Sequence, residues 1–353
     1  MKKELLRIFQ VATVFIGTIV GAGLASGKEI TEFFTQYGIK SFLGIIICGI
    51  FYIIMGSIIS KISIDYKLDS YSDVINIISP NILGKFTGFV TTFFLISSAS
   101  IILAGSGALI HQFFEIPKII GSLIMIIIAI FFLLRGTDGL IEVNSFIVPG
   151  LIGTMTLISV LYFTFCKDIV SFSNISSFEP QKTGIAMSTI LYAGYNTLSA
   201  SGVLVPISNQ IKNKKTMILG IIAGAVGLTL LSCMINLLLT VNQPYIYKYE
   251  IPLLFVANRF GHIIQAILLV IIWLEMFSTE VSDIYSISKT LEQTFNIEFK
   301  KAIFPVLGVA FLISQFGFGN LITKLYPIFG LLSLVFIYQC IIFFFKDRRK
   351  NIK

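Results

Sequence analysis

Apolar runs of about 20 residues, the length that carries a helix across a bilayer, recur from one end of this chain to the other. They fall near 8–36, 41–60, 86–110, 118–134, 142–165, 183–207, 216–240, 262–288, 301–317 and 321–345. In lipid every backbone N–H and C=O must be satisfied internally, so only helices and closed barrels cross. Continuous runs of this kind read as helices. The expected fold is an all-α polytopic membrane protein with ten transmembrane helices, a single domain over 1–353. Charged residues make up only 12% of the chain, about half their share in a soluble domain.

The net charge of +8 reads as topology. Of the 26 lysines and arginines, 18 lie in the termini and loops on one side of the ten spans, and six on the other. Basic residues mark the cytoplasmic side. Both termini are therefore expected in the cytoplasm of a bacterial cell, with the spans in its plasma membrane. No nucleic-acid partner is implied. Residues 1–25 also have the outline of a secretory signal, with Gly23-Leu24-Ala25 as its cleavage site. A matching interruption in the second half argues against that reading. Cys48, Cys166, Cys233 and Cys340 sit in or beside apolar runs without a CxxC pair, and His111 and His262 are the two histidines. They read as packing residues rather than a metal site.

The first span contains "VFIGTIVGAGLASGKEITEFF", with Gly21, Gly23 and Gly27 followed by Lys28 and Glu29. Glycine admits the φ values and the close approach that a broken helix needs. Laid over the second half at an offset of 177, residues 21–27 fall on 198–204, within "YAGYNTLSASGVLVP". Asn81 and Gly84 fall on Asn258 and Gly261, each pair after a short amphipathic segment (72–79 and 251–257). Pro149 falls within one residue of Pro327. Five spans per half forces the halves to insert with opposite orientation. The expectation is a 5+5 inverted repeat, about 1–170 and 176–345, with broken first and sixth helices. Matching interruptions of this kind point to the binding site of a secondary transporter.

An unwound segment offers carbonyls to a cation and N–H groups to an anion. Together they suit a zwitterion such as an amino acid. Gly21, Ala22, Gly23, Ser26 and Gly27 are the expected substrate-binding positions of the first break. Ser26-x-x-Glu29 reads as a capping box that restarts the helix, and Lys28 as a residue that snorkels or pairs with a carboxylate. In the second break Asn196 carries two donors and an acceptor. Tyr192 and Tyr195 either wall the pocket or simply pack, and Ser98 in the third span is a weaker candidate among Ser97, Ser98 and Ser100.

The eighth span carries "WLEMFSTEVSDIYSISK". Glu275, Ser278, Thr279, Ser282 and Ser286 share one helical face. Intramembrane acids are costly and functional by default. Glu275 reads as a proton carrier or a partner of Lys28. Glu280 and Asp283 lie nearer the cytoplasmic end, and Glu280 competes for the proton. Ser278 and Thr279 offer hydroxyl oxygens to a sodium ion.

The ten spans, the two breaks and "IGTIVGAGLASGKEI" resemble the YkvI-like family of bacterial membrane proteins, regarded as amino acid permeases of the amino acid–polyamine–organocation superfamily. The likeness covers nearly the whole chain. Glutamine is usual in that family where this chain has Lys28. The resemblance implies the LeuT fold, with substrate between the first, third, sixth and eighth spans. It also implies a sodium site between carbonyls of the first break, at Gly21, and the Ser278 and Thr279 hydroxyls. Some proton-coupled relatives use a lysine in the fifth span, and 142–165 has none.

These features converge on a secondary transporter that moves an amino acid or small amine by alternating access. Its coupling ion would be sodium or a proton, and its partners the solute and the bilayer. The alternative is a receptor on the same fold, like the membrane subunit of a germinant receptor, which binds an amino acid without net transport. No HExxH, metal cluster or His-paired nucleophile supports an enzyme.

Overall fold

The computed structural model describes residues 2–68, 70–78, 82–135, 140–166 and 168–350. The described residues form helices in the order α1 (Lys2–Ala25), α2 (Lys28–Phe33), α3 (Lys40–Tyr66), α4 (Tyr71–Ile78), α5 (Ile82–Phe114), α6 (Lys118–Arg135) and α7 (Leu140–Phe165). There follow α8 (Phe172–Ser177), α9 (Ile185–Ile211), α10 (Lys214–Thr240), α11 (Pro252–Asn258), α12 (His262–Phe295), α13 (Phe299–Ser314) and α14 (Phe318–Lys350). Nine of them are long and apolar enough to cross a membrane. The span expected at 301–317 corresponds to α13, whose 16 residues reach only ~24 Å, short of the ~30 Å hydrocarbon core. Nine of the ten expected transmembrane helices thus have a helix of crossing length among the described residues.

Helix α3 illustrates how these segments settle in lipid. Ile45, Cys48, Tyr52, Met55 and Ile59 are buried, while Leu43, Ile46, Ile47, Ile50 and Ile54 are exposed. Both sets are apolar and both recur at helical spacing, so one stripe faces protein and the other faces acyl chains. Small residues let helices approach closely. A Cβ on Gly330 of α14 would lie 2.4 Å from the Leu191 carbonyl oxygen of α9.

Helix α1 is enclosed by α9, α10 and α12. It breaks at Gly21, where φ is 41° and ψ is −175°. A second turn follows at Gly27, left-handed at φ 79°. Only glycine takes such angles without strain. The Ser26 carbonyl, left without a helical partner, accepts the Leu253 N–H of α11 at 3.0 Å. The unwound turn is thus held by the second half of the chain.

The interruption expected in the sixth span is not open. Helix α9 runs from Ile185 to Ile211 with Pro206 inside it. Its polar residues turn inward on their own backbone. Asn196 Nδ2 donates to the Tyr192 carbonyl at 3.0 Å, and Thr197 Oγ1 to the Ala193 carbonyl at 2.8 Å. Ser201 Oγ donates to the Leu198 carbonyl at 2.6 Å. Such bonds let a polar sequence remain helical in an apolar setting. In each half a short helix precedes a very long one, α4 before α5 and α11 before α12. Asn81, half of the N-x-x-G correspondence, lies outside the described residues.

Candidate functional site

The first break holds a carboxylate. Ser26 Oγ donates to the Gly23 carbonyl at 2.8 Å and accepts the Lys28 N–H at 3.2 Å. The residue preceding α2 is Gly27, without a side-chain cap. The reciprocal capping box therefore does not form. Glu29 points elsewhere because Gly23 leaves room for it. A Cβ at Gly23 would lie 2.0 Å from Glu29 Oε1. Tyr192 of α9 donates its hydroxyl to Glu29 Oε2 at 3.0 Å. The Tyr326 hydroxyl of α14 lies at the same carboxyl.

Aromatic rings close around this group. Tyr195 stacks on Tyr326 with centroids 4.2 Å apart, and Phe94 of α5 packs on Tyr195 at 5.7 Å. Phe33 and Phe34 flank Tyr192 at 5.2 and 5.0 Å. Asn196 is buried beside the Tyr52 hydroxyl. Leu24, Cys48, Tyr52 and Tyr192 line a cavity of about 10 Å³, room for about one water. The structure thus brings Gly23, Ser26, Tyr195 and Asn196 into one neighbourhood. Ala22 is buried in the same turn. Among the described residues beyond its own turn, no atom lies within 4 Å of where a Gly21 Cβ would be.

Lys28 does not pair with Glu275. Its Nζ lies 3.3 Å from Glu32 Oε1, one turn along α2, and Lys182 Nζ lies 3.3 Å from Glu32 Oε2. A partner within the same short helix is reached without crossing the protein, and among the described residues Glu275, Glu280 and Asp283 of α12 have no ion pair.

Helix α12 forms the second part of the site. Glu275, Ser278, Glu280 and Asp283 are buried, and Thr279 is half-buried. Among the described residues Glu275 Oε2, both Glu280 carboxyl oxygens and Asp283 Oδ2 have no hydrogen-bond partner. Ser98 of α5, the weaker substrate-binding candidate of the third span, lies at the Asp283 carboxyl. Thr279 Oγ1 donates to the Glu275 carbonyl at 3.1 Å, which leaves its lone pairs free to accept. Helix α12 packs against α1, the juxtaposition that the expected sodium site requires.

Sequence reasoning missed Tyr326 and Phe94. Each lies in an apolar run, and no local pattern separates a ring that meets Glu29 or Tyr195 from one that meets lipid. It also read Glu29 as a capping residue, because its spacing from Ser26 fits a cap.

This architecture, a helix unwound against a long polar-faced helix within a bundle, is that of LeuT-fold transporters. The phenylalanine-bound MhsT structure superposes with a TM-score of 0.68 at 15% identity, over 93% of this chain and 87% of that one. The Eremococcus coleocola manganese transporter, bound to an aromatic bis-isothiourea compound, gives 0.68 at 14% identity, over 96% and 79%. A nucleobase-cation-symport-1 family transporter with bromovinylhydantoin gives 0.63 at 13% identity, over 94% and 77%. No family model matches the chain. By sequence it is 31% identical to the uncharacterized membrane protein YkvI of Bacillus subtilis, over 93% of both chains. YyaD of the same organism is 24% identical over 91% of this chain and 92% of its own. The chain belongs to the family of YkvI and is a multi-pass membrane protein.

Proposed function

We propose that this protein is a secondary active transporter that moves an amino acid or small amine across the bacterial plasma membrane by alternating access. One observation carries the reading: α1 unwinds at Gly21 and Gly27 beside a buried carboxylate and against the acid-bearing face of α12. Non-helical backbone at membrane depth is tolerated only where protein or a polar cavity surrounds it. It is costly to maintain without a ligand to serve. The opposed orientation of the two halves, with both termini cytoplasmic, would let the bundle rock around this fixed point.

Coupling runs through α12. Sodium would take oxygens from Ser278, Thr279 and the carbonyls near Gly21. A proton would ride on Glu275 or Glu280. Purified protein in liposomes tests the reading. Solute uptake driven by an imposed sodium or proton gradient supports it. Loss of the sodium response in Ser278→Ala selects sodium, whereas its retention together with loss in Glu275→Gln selects the proton. Absence of uptake for every amino acid and amine under either gradient overturns the reading, and binding without flux would mark a receptor.

A further inference from the structure

The geometry points to an organic cation, an ammonium or amidinium compound lacking an adjacent carboxylate, as the solute recognised at the first break. This rests on the transporter reading and narrows it. A zwitterionic amino acid needs an anion site and a cation site. Here the protein fills the anion position itself, because the Glu29 carboxylate lies over Gly23 in the unwound turn. A substrate carboxylate brought to the same turn would first have to displace the Glu29 side chain that already fills it.

The surroundings favour the opposite sign. Glu29, Glu275, Glu280 and Asp283 are all buried, and among the described residues Lys28 is the one buried cation. Lys28 is already paired with Glu32. Glu29 itself is met by a Tyr192 hydroxyl at 3.0 Å and by Tyr326, and among the described residues it has no ion pair. An ionised carboxylate buried without a cation is expensive, and an incoming ammonium would supply that partner. The walls are aromatic. Tyr192 and Tyr326 bring hydroxyls to the carboxyl, and Tyr195 and Phe94 pack behind them; rings beside a carboxyl are the combination that attracts a desolvated cation. The stacked Tyr195–Tyr326 pair would part to admit it.

The test uses full-length protein, in detergent for thermal shift and in liposomes for uptake. The cationic probes are butylamine, putrescine and tetramethylammonium, set against alanine, phenylalanine and glutamate. The expected result is stabilisation and uptake for cations only, weakened roughly tenfold or more in Glu29→Gln and kept in Glu29→Asp. Should Glu29→Gln fail to fold, Tyr326→Phe and the selectivity of the unmodified protein decide. Binding of alanine or phenylalanine in preference to every cation overturns the inference and leaves the transporter reading standing. Equal cation binding by the parent and Glu29→Gln overturns it too. No binding and no uptake of any probe overturns both.

Discussion

Tyr192 donates its hydroxyl to the Glu29 carboxylate at 3.0 Å across a sequence separation of 163 residues. The bond ties the restarted half-helix of the first span to the sixth span of the fold. Any movement of α2 relative to α9 must break or remake it, so the contact marks where the two halves meet at the unwound turn.

Gly23 tests whether Glu29 must occupy that place. A Cβ there would lie 2.0 Å from Glu29 Oε1, so Gly23→Ala must displace the carboxylate. It should destabilise the protein by about 1–3 kcal/mol and abolish solute binding. Gly153 in α7 has nothing within 4 Å. Gly153→Ala should be neutral or stabilising by up to about 1 kcal/mol. Thermal shift of the two variants side by side checks both.

Gly330 sits under a harder constraint. Its nearest neighbours are the backbone atoms of Leu191, the closest at 2.4 Å, and backbone cannot swing aside as a side chain can. Gly330→Ala should force α14 away from α9 and lower stability more than Gly23→Ala, by about 3 kcal/mol. The apparent melting temperatures of the two variants rank them. A smaller loss at Gly330 would contradict the packing.

Glu32 holds two lysines of unequal burial. The Lys28 side chain is 10% exposed and that of Lys182 is 44% exposed. Glu32→Gln should cost about 2–3 kcal/mol, because it leaves Lys28 nearly buried and unpaired. Lys182→Ala should cost under about 1 kcal/mol, as exposed pairs do. Equal losses in thermal shift would show that burial does not set the difference.

Among the described residues Glu280 has no hydrogen-bond partner on either carboxyl oxygen, and it has no exposed surface. Glu280→Gln should melt within about 4 °C of the parent while gradient-driven uptake falls roughly tenfold or more. A variant that transports normally would remove Glu280 from the coupling route. One that fails to fold would give it a structural role instead.

The extent to which this protein is legible in its sequence follows from the range of the forces involved. The break at Gly21 was readable because three glycines within seven residues leave little doubt where backbone departs from a helix. The polar face of α12 was readable because helical spacing alone defines it. The second break was over-read. Glycine, serine and asparagine permit an interruption, but here the side chains of Asn196, Thr197 and Ser201 bond back to their own turns and α9 stays helical. Lys28 pairs with a carboxylate, as one of its two readings had it, but the partner is Glu32 one turn away on the same helix and not Glu275.

By itself the sequence determined the class: an all-helical membrane bundle with an unwound first span. Transfer of apolar segments into lipid and the φ freedom of glycine are local properties, and they add along the chain. Only the tertiary structure decided what the unwound turn contains. The rings and hydroxyls at Glu29 come from α9 and α14, and α5 adds Phe94. Their meeting depends on helix packing, in which many apolar side chains are interchangeable in hydropathy but not in position.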